Sequence, residues 1–136
     1  MNGFVLGKIF SSFRKRSEMK DFKKLAIWQE GMDLADLVYE VITDIPWQNG
    51  GQKAIDQMSR SSLSIPSNIA EGNSRRSEKE KYRFMEIALG SAFELETQLI
   101  FSQRRLWSIE EKLNKALNAV GVEQKKIQRF MEALNL

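Results

Sequence analysis

The chain has 136 residues, with 21 Lys+Arg against 18 Asp+Glu and neither His nor Cys. Without Cys there is no disulfide framework, thiolate nucleophile or thiolate zinc site, and without His there is no Ser-His-Asp triad, Glu-x-x-His di-iron pattern or ordinary catalytic zinc site. The formal charge of +3 and a pI near 9.2 invite a nucleic-acid reading.

The charge is unevenly placed. Residues 1–18 carry Lys8, Arg14, Lys15 and Arg16 against Glu18, a net +3, while residues 19–136 hold 17 basic and 17 acidic side chains. The chain therefore divides into a basic N-terminal extension, residues 1–20, and a helical domain over residues 21–136. In the extension the apolar stretch comes before the charges and is broken by Gly7 and Lys8, the reverse of a secretory signal. No run of 18 apolar residues spans a membrane, and the chain is read as cytoplasmic. Two readings of the extension stand. One is a flexible leader ahead of a start at Met19. The other is a short amphipathic helix, Phe4, Ile9, Phe10 and Phe13 against the basic residues, for a membrane surface or a partner.

Four helical stretches follow. The first is predicted from Asp21 to Ile45, with Leu25, Trp28, Met32, Ala35, Val38/Tyr39, Ile42 and Ile45 at spacings of three and four; Pro46 stops it. The second runs from Gln52 to Ala70 on Ile55, Met58, Ser62, Ile65 and Ile69. Pro66 inside it predicts a kink or two helices in tandem, and Gly72 and Asn73 close it. The third opens on a capping box, Ser77 with Glu80. It carries Met85, Ala88, Ala92, Leu95, Leu99, Ser102 and Leu106, with Phe84, Ile87, Ser91 and Phe101 beside them. The fourth opens on Ser108 with Glu111 and continues through Leu113, Ala116/Leu117, Val120, Ile127, Phe130/Met131 and Leu134, with a break predicted near Gly121. Strand-like alternation is absent and the connections are short. The fold class is all-α, an antiparallel up-down-up-down four-helix bundle with its second helix kinked at Pro66.

Three segments carry a resemblance: "FKKLAIWQEGMDLADLVYEV" (22–41), "QMSRSSLSIPSNIAEGNSRRS" (57–77) and "FMEIALGSAFELETQL" (84–99). Together they resemble the four-helix-bundle proteins encoded in intervening sequences of bacterial 23S rRNA genes, over about Asp21 to Leu134. The resemblance implies a helical bundle that assembles head-to-tail into a ring, commonly a pentamer with a central channel, and no catalysis. The superfamily includes the accessory variability proteins of diversity-generating retroelements, strongly basic pentamers that bind a reverse transcriptase and its template RNA. Residues 19–136 here are neutral.

The motif residues are Ser64, Pro66, Asn68, Glu71 and Gly72, with Gly90, Glu94 and Glu96 on the third helix. Asn68 and Glu71 share a helix face, and Asn68 is placed to satisfy backbone groups freed by Pro66. These residues read as a polar network fixing helix register or a subunit contact, or as a recognition or metal-free catalytic site. Glu94 and Glu96 have Arg60 or Arg104 as expected partners. No catalytic, cofactor-binding or metal-ligating residue is assigned, no cofactor is expected, and the chain is read as not an enzyme.

Local charge is dipolar. Residues 73–83 and 103–136 are each net +3 and residues 30–58 net −5. Arg75, Arg76, Lys79, Arg83, Arg104 and Arg105 are the nucleic-acid candidates, the Arg75/Arg76 turn lying at a helix N-terminus. Solvated helix faces and an acidic face of one subunit against a basic face of the next are the competing readings. Trp28, Trp47 and Trp107 read as end plugs or interface anchors. The expected function is a homo-oligomer, a pentameric ring, presenting an interaction surface to a protein partner. The alternative is an RNA- or DNA-binding accessory protein, partner of a reverse transcriptase.

Overall fold

The computed structural model describes residues 21–136, so both readings of the basic extension lie outside the described residues. A 3-10 turn, Phe22–Lys24, leads into α1 (Ala26–Ile42), α2 (Gly51–Asn73), α3 (Glu78–Arg105) and α4 (Glu110–Glu132), and there is no strand among the described residues. The fold is a four-helix bundle. α1 and α3 each pack against both α2 and α4, so they occupy opposite corners. Cross-contacts fix the directions. Asp44, beyond the end of α1, meets Lys112 at the start of α4, while Glu30 near the start of α1 meets Lys126 late in α4. Ser61 meets Gln98 and Ser64 meets Ser91.

The first helix begins later than its pattern suggests. Asp21 caps the 3-10 turn, its Oδ1 accepting from the Lys23 amide at 3.1 Å, and α1 starts only at Ala26. Its buried stripe is also rotated. Ile27, Gly31, Leu34, Val38, Val41 and Ile45 face the core, whereas Met32 and Tyr39, predicted core residues, are 39% and 44% exposed. The buried set repeats every three and four residues, but Gly31 interrupts its apolar character and hides it from a hydropathy reading.

α2 continues through Pro66 as one element, which excludes two helices in tandem. Proline removes the amide that would reach the Ser62 carbonyl. Gly72 does not terminate α2 by a left-handed turn. It lies in the last helical turn, buried, where a Cβ would come within 2.7 Å of the Phe84 Cβ. Its function is close approach of α2 to α3. α4 is likewise unbroken at Gly121.

α3 starts as predicted, the Ser77 hydroxyl accepting from the Glu80 amide at 3.1 Å. It ends at Arg105, with Leu106 in the left-handed region (φ 59°) and 89% exposed rather than in the core stripe. The Ser108/Glu111 capping box does not form. Ile109 is the N-cap of α4, its amide facing Asp44 Oδ2 at 3.4 Å, and the Ser108 hydroxyl donates instead to the Val41 carbonyl at 3.3 Å. A carboxylate from the α1 end thus serves the α4 N-terminus, favoured there by the helix dipole. The core is filled by Leu34, Met58, Ile65, Ile69, Met85, Leu95, Leu99, Leu113 and Ile127, all fully buried. Each such side chain contributes about 1.5–3 kcal/mol of transfer free energy.

Candidate functional site

The segments 57–77 and 84–99 face each other along the α2–α3 seam. The Ser61 hydroxyl donates to Gln98 Oε1 at 2.7 Å, and the Ser64 and Ser91 hydroxyls are 2.8 Å apart. Asn68 Nδ2 donates to the Ser64 carbonyl at 2.8 Å and to the Ser64 hydroxyl at 2.9 Å. Asn68 therefore ties down Ser64, not the Ser62 carbonyl that Pro66 leaves without its helical donor. Gln98 Nε2 donates in turn to Glu94 Oε1 at 3.2 Å. The predicted partners of the α3 acids are not realised: Arg60 pairs with Asp56 at 3.2 Å, and neither Glu94 nor Glu96 forms an ion pair among the described residues. Every hydroxyl in the seam finds a partner, so it fixes register between the two helices.

Outside the seam, α3 presents a band of large apolar side chains to solvent. Ile87, Phe93, Ile100 and Phe101 are 38%, 46%, 41% and 49% exposed. Phe93 and Ile100 are one heptad apart, as are Ile87, Glu94 and Phe101, so the apolar residues fall on two stripes about 100° apart, separated by the exposed Gly90, Thr97 and Arg104 positions.

The six candidate basic residues do not form one patch. Arg75 Nη2 is held by Glu71 Oε1 at 2.9 Å, its Cζ lies 4.7 Å from the Phe84 ring centroid, and its Nε is buried without a partner. It serves the α2–α3 corner. The adjacent N-terminus of α3 is occupied by the Ser77 cap and by Glu78 and Glu80 in its first turn, which oppose an anion there. Arg76, Lys79, Arg83 and Arg104 are exposed and form no ion pair among the described residues. Arg105 lies at the opposite end of α3, its Cζ 5.2 Å from the Phe101 centroid. The acidic segment is partly spent inside the chain: Asp44 pairs with Lys112 at 3.2 Å and Glu30 with Lys126. Asp33, Asp36 and Glu40 on α1 remain exposed.

Among the tryptophans, Trp47 is 60% exposed and plugs nothing. Trp28 packs edge-on to Phe22 at 5.2 Å, and Trp107 edge-on to Phe101 at 5.9 Å.

One residue escaped sequence reasoning. Glu123 is 1% exposed, and neither of its carboxylate oxygens has a hydrogen-bond partner. It stands between Val120 and Ile127 in the α4 core stripe and faces Gly31, where a Cβ would come within 2.9 Å of Oε2. Burial, reinforced by the neighbouring Glu30 carboxylate and opposed by Lys126, pushes its pKa from 4.5 to about 8. Glu123 is thus protonated at neutral pH. An acidic residue at a core-stripe position was the available signal. Among the described residues Glu123 is sealed in the core against Gly31.

A family model for 23S rRNA-intervening sequence proteins matches residues 23–129. No curated protein matches the chain significantly.

Proposed function

The chain belongs to the 23S rRNA-intervening sequence protein family, and on that premise we propose that it is a cytoplasmic, non-enzymatic interaction protein that works as a homo-oligomeric ring, a pentamer. The observation that carries this reading is the uncovered apolar band of α3, with Phe93 and Ile100 nearly half exposed. Four large exposed apolar side chains on one helix favour a docking surface. The opposite corner of the bundle supports its complement. There α1 presents Met32 and Tyr39 beside Asp33, Asp36 and Glu40, while Arg83 and Arg104 flank the α3 band. A face that docks on a different face is heterologous, and such contacts form a ring when the rotation between copies closes.

Light scattering after size exclusion tests the reading. The expected mass is several times 15.7 kDa, falling towards the monomer in Phe93→Asp and Ile100→Asp. A wild-type monomer at micromolar concentration removes it. The alternative, a nucleic-acid accessory role, is supported by the exposed cations Arg76, Lys79, Arg83 and Arg104. It predicts a salt-dependent mobility shift of structured RNA that is lost when Arg76, Lys79 and Arg83 are reversed to Glu. Absence of a shift at about 50 mM salt removes that alternative.

A further inference from the structure

The end of the bundle where α2 begins and α3 finishes contains an open cleft of about 480 Å³. Lys53 and Gln57 line it from α2, Gln98, Phe101 and Arg105 from α3, and Trp107 from the following turn. The sequence separates these residues: Lys53 sits alone in the acidic segment, and Phe101 and Trp107 belong to different apolar features. The fold brings the two cations and two aromatics together.

Three properties of the cleft point the same way. First, it is cationic without compensation. No carboxylate lines it, and neither Lys53 nor Arg105 forms an ion pair among the described residues. Second, it offers partly exposed aromatic surface, with the Arg105 guanidinium over one face of the Phe101 ring and Trp107 standing nearly perpendicular to it. Phe101 is 49% exposed, Trp107 meets it edge-on at 75°, and the Arg105 guanidinium carbon lies 5.2 Å from the Phe101 centroid. Aromatic rings and arginine planes are the surfaces on which unstacked bases sit. Third, Gln98 is fixed at its edge by hydrogen bonds to Ser61 and Glu94, whereas Gln57 is exposed, so a held and a free amide border the aromatic surface. The volume is within the range of small-ligand pockets.

We propose that this cleft binds a nucleotide unit, the base against the Phe101–Trp107–Arg105 cluster and the phosphate between Lys53 and Arg105. The ligand is either a free mononucleotide or an unstacked nucleotide of a single strand, which share this chemistry. The site is complete within one chain and shares Phe101 with the α3 band proposed for ring assembly.

The test is calorimetric titration of the full chain with AMP and UMP, beside ribose 5-phosphate as the anion without a base and adenosine as the base without an anion. Fluorescence anisotropy with a labelled short oligouridylate and a duplex of equal length runs in parallel. The nucleotides are expected to bind at least about tenfold more tightly than either fragment, since stacking and charge act together. Lys53→Glu with Arg105→Glu is expected to weaken binding at least about tenfold at 50 mM salt, with helical circular dichroism unchanged because both side chains are exposed. A single strand that binds better than AMP identifies the strand as the source, and equal affinity identifies the free nucleotide. The proposal is overturned if neither nucleotides nor single strand bind at millimolar concentration, if the double variant binds like wild type, if ribose 5-phosphate equals AMP, or if the single strand binds better than AMP and the duplex binds as well as the single strand. Mass measured on the same samples separates this result from the ring: a monomer that binds AMP keeps the cleft, and an oligomer that does not loses it.

Discussion

Glu123 and Gly31 explain each other. Each stands at the one position where its helix's core stripe loses apolar character, and the two positions meet across the α1–α4 interface. A buried carboxyl with both oxygens unpartnered is costly unless it is neutral. The charged groups that face it are Glu30 from α1 and Lys126 from α4, and Ile65 and Pro66 of α2 lie beside Gly31. Its pKa is raised from 4.5 to about 8 on folding, so the native state holds a proton that the unfolded chain releases. The stability this proton confers is fully present below about pH 4.5 and is lost as pH rises through about 8. Urea denaturation followed by helical circular dichroism should therefore show stability falling by about 1 kcal/mol per pH unit across that window. Glu123→Gln should flatten the slope and be the more stable protein above pH 8; an unchanged slope in the variant would place its origin elsewhere. Gly31→Ala gains helix propensity but sets a methyl 2.9 Å from Glu123 Oε2. A net loss of about 1–3 kcal/mol is expected, as for other overpacked cores. Pairing it with Glu123→Ala, which removes the opposing atoms, should recover most of that loss. Neither residue was legible as a pair, because hydropathy registers each as a defect in its own helix and has no view of the other.

Helix existence and type followed from three-and-four spacing, but boundaries depended on groups far away in sequence. The start of α3 was legible because its cap is local, Ser77 to the Glu80 amide. The start of α4 was not, because its cap is Asp44, more than sixty residues earlier. The two accounts are separable. Asp44→Ala removes both the acceptor facing the Ile109 amide and the partner of Lys112, and should cost about 1–2 kcal/mol in chemical denaturation. Glu111→Ala should cost little, because Glu111 is 79% exposed and meets only Lys115. The end of α3 is the harder case. No glycine or proline marks it, and Leu106 adopts a left-handed conformation that β-carbons disfavour. Leu106→Gly should raise stability by about 0.5–1 kcal/mol, because the side chain is exposed and gives up no packing. A loss of stability would mean that Leu106 has a contact in solution, as an interface residue would.

For the molecule as a whole, overall charge was the least informative property and its arrangement the most. Of the acids of residues 30–58, Asp56 pairs within α2 with Arg60, and the other five divide into two sets. Glu30 and Asp44 turn towards α4 and are neutralised by Lys126 and Lys112, whereas Asp33, Asp36 and Glu40 stay in solvent at the corner opposite α3. That division separates intramolecular charge from charge available to a neighbour, and it was not legible from composition or net charge by segment. If the α1 face of one copy docks on the α3 band of the next, the contact combines apolar burial with exposed, screenable ion pairs. Screening length shrinks from about 10 Å at 0.1 M salt to about 3 Å at 1 M, so added salt should weaken assembly without abolishing it. Asp36→Lys with Glu40→Lys should lower the mass seen by light scattering, and Arg83→Glu with Arg104→Glu should lower it too. Mixing the two double variants should partly restore assembly, because each supplies the face the other has lost while its own copies repel. An isologous dimer joining the same two patches would also recover on mixing, because residue i then meets residue j on both sides of the two-fold axis. The recovered mass is therefore what separates the two: about twice 15.7 kDa for a two-fold dimer and several times that for a head-to-tail ring.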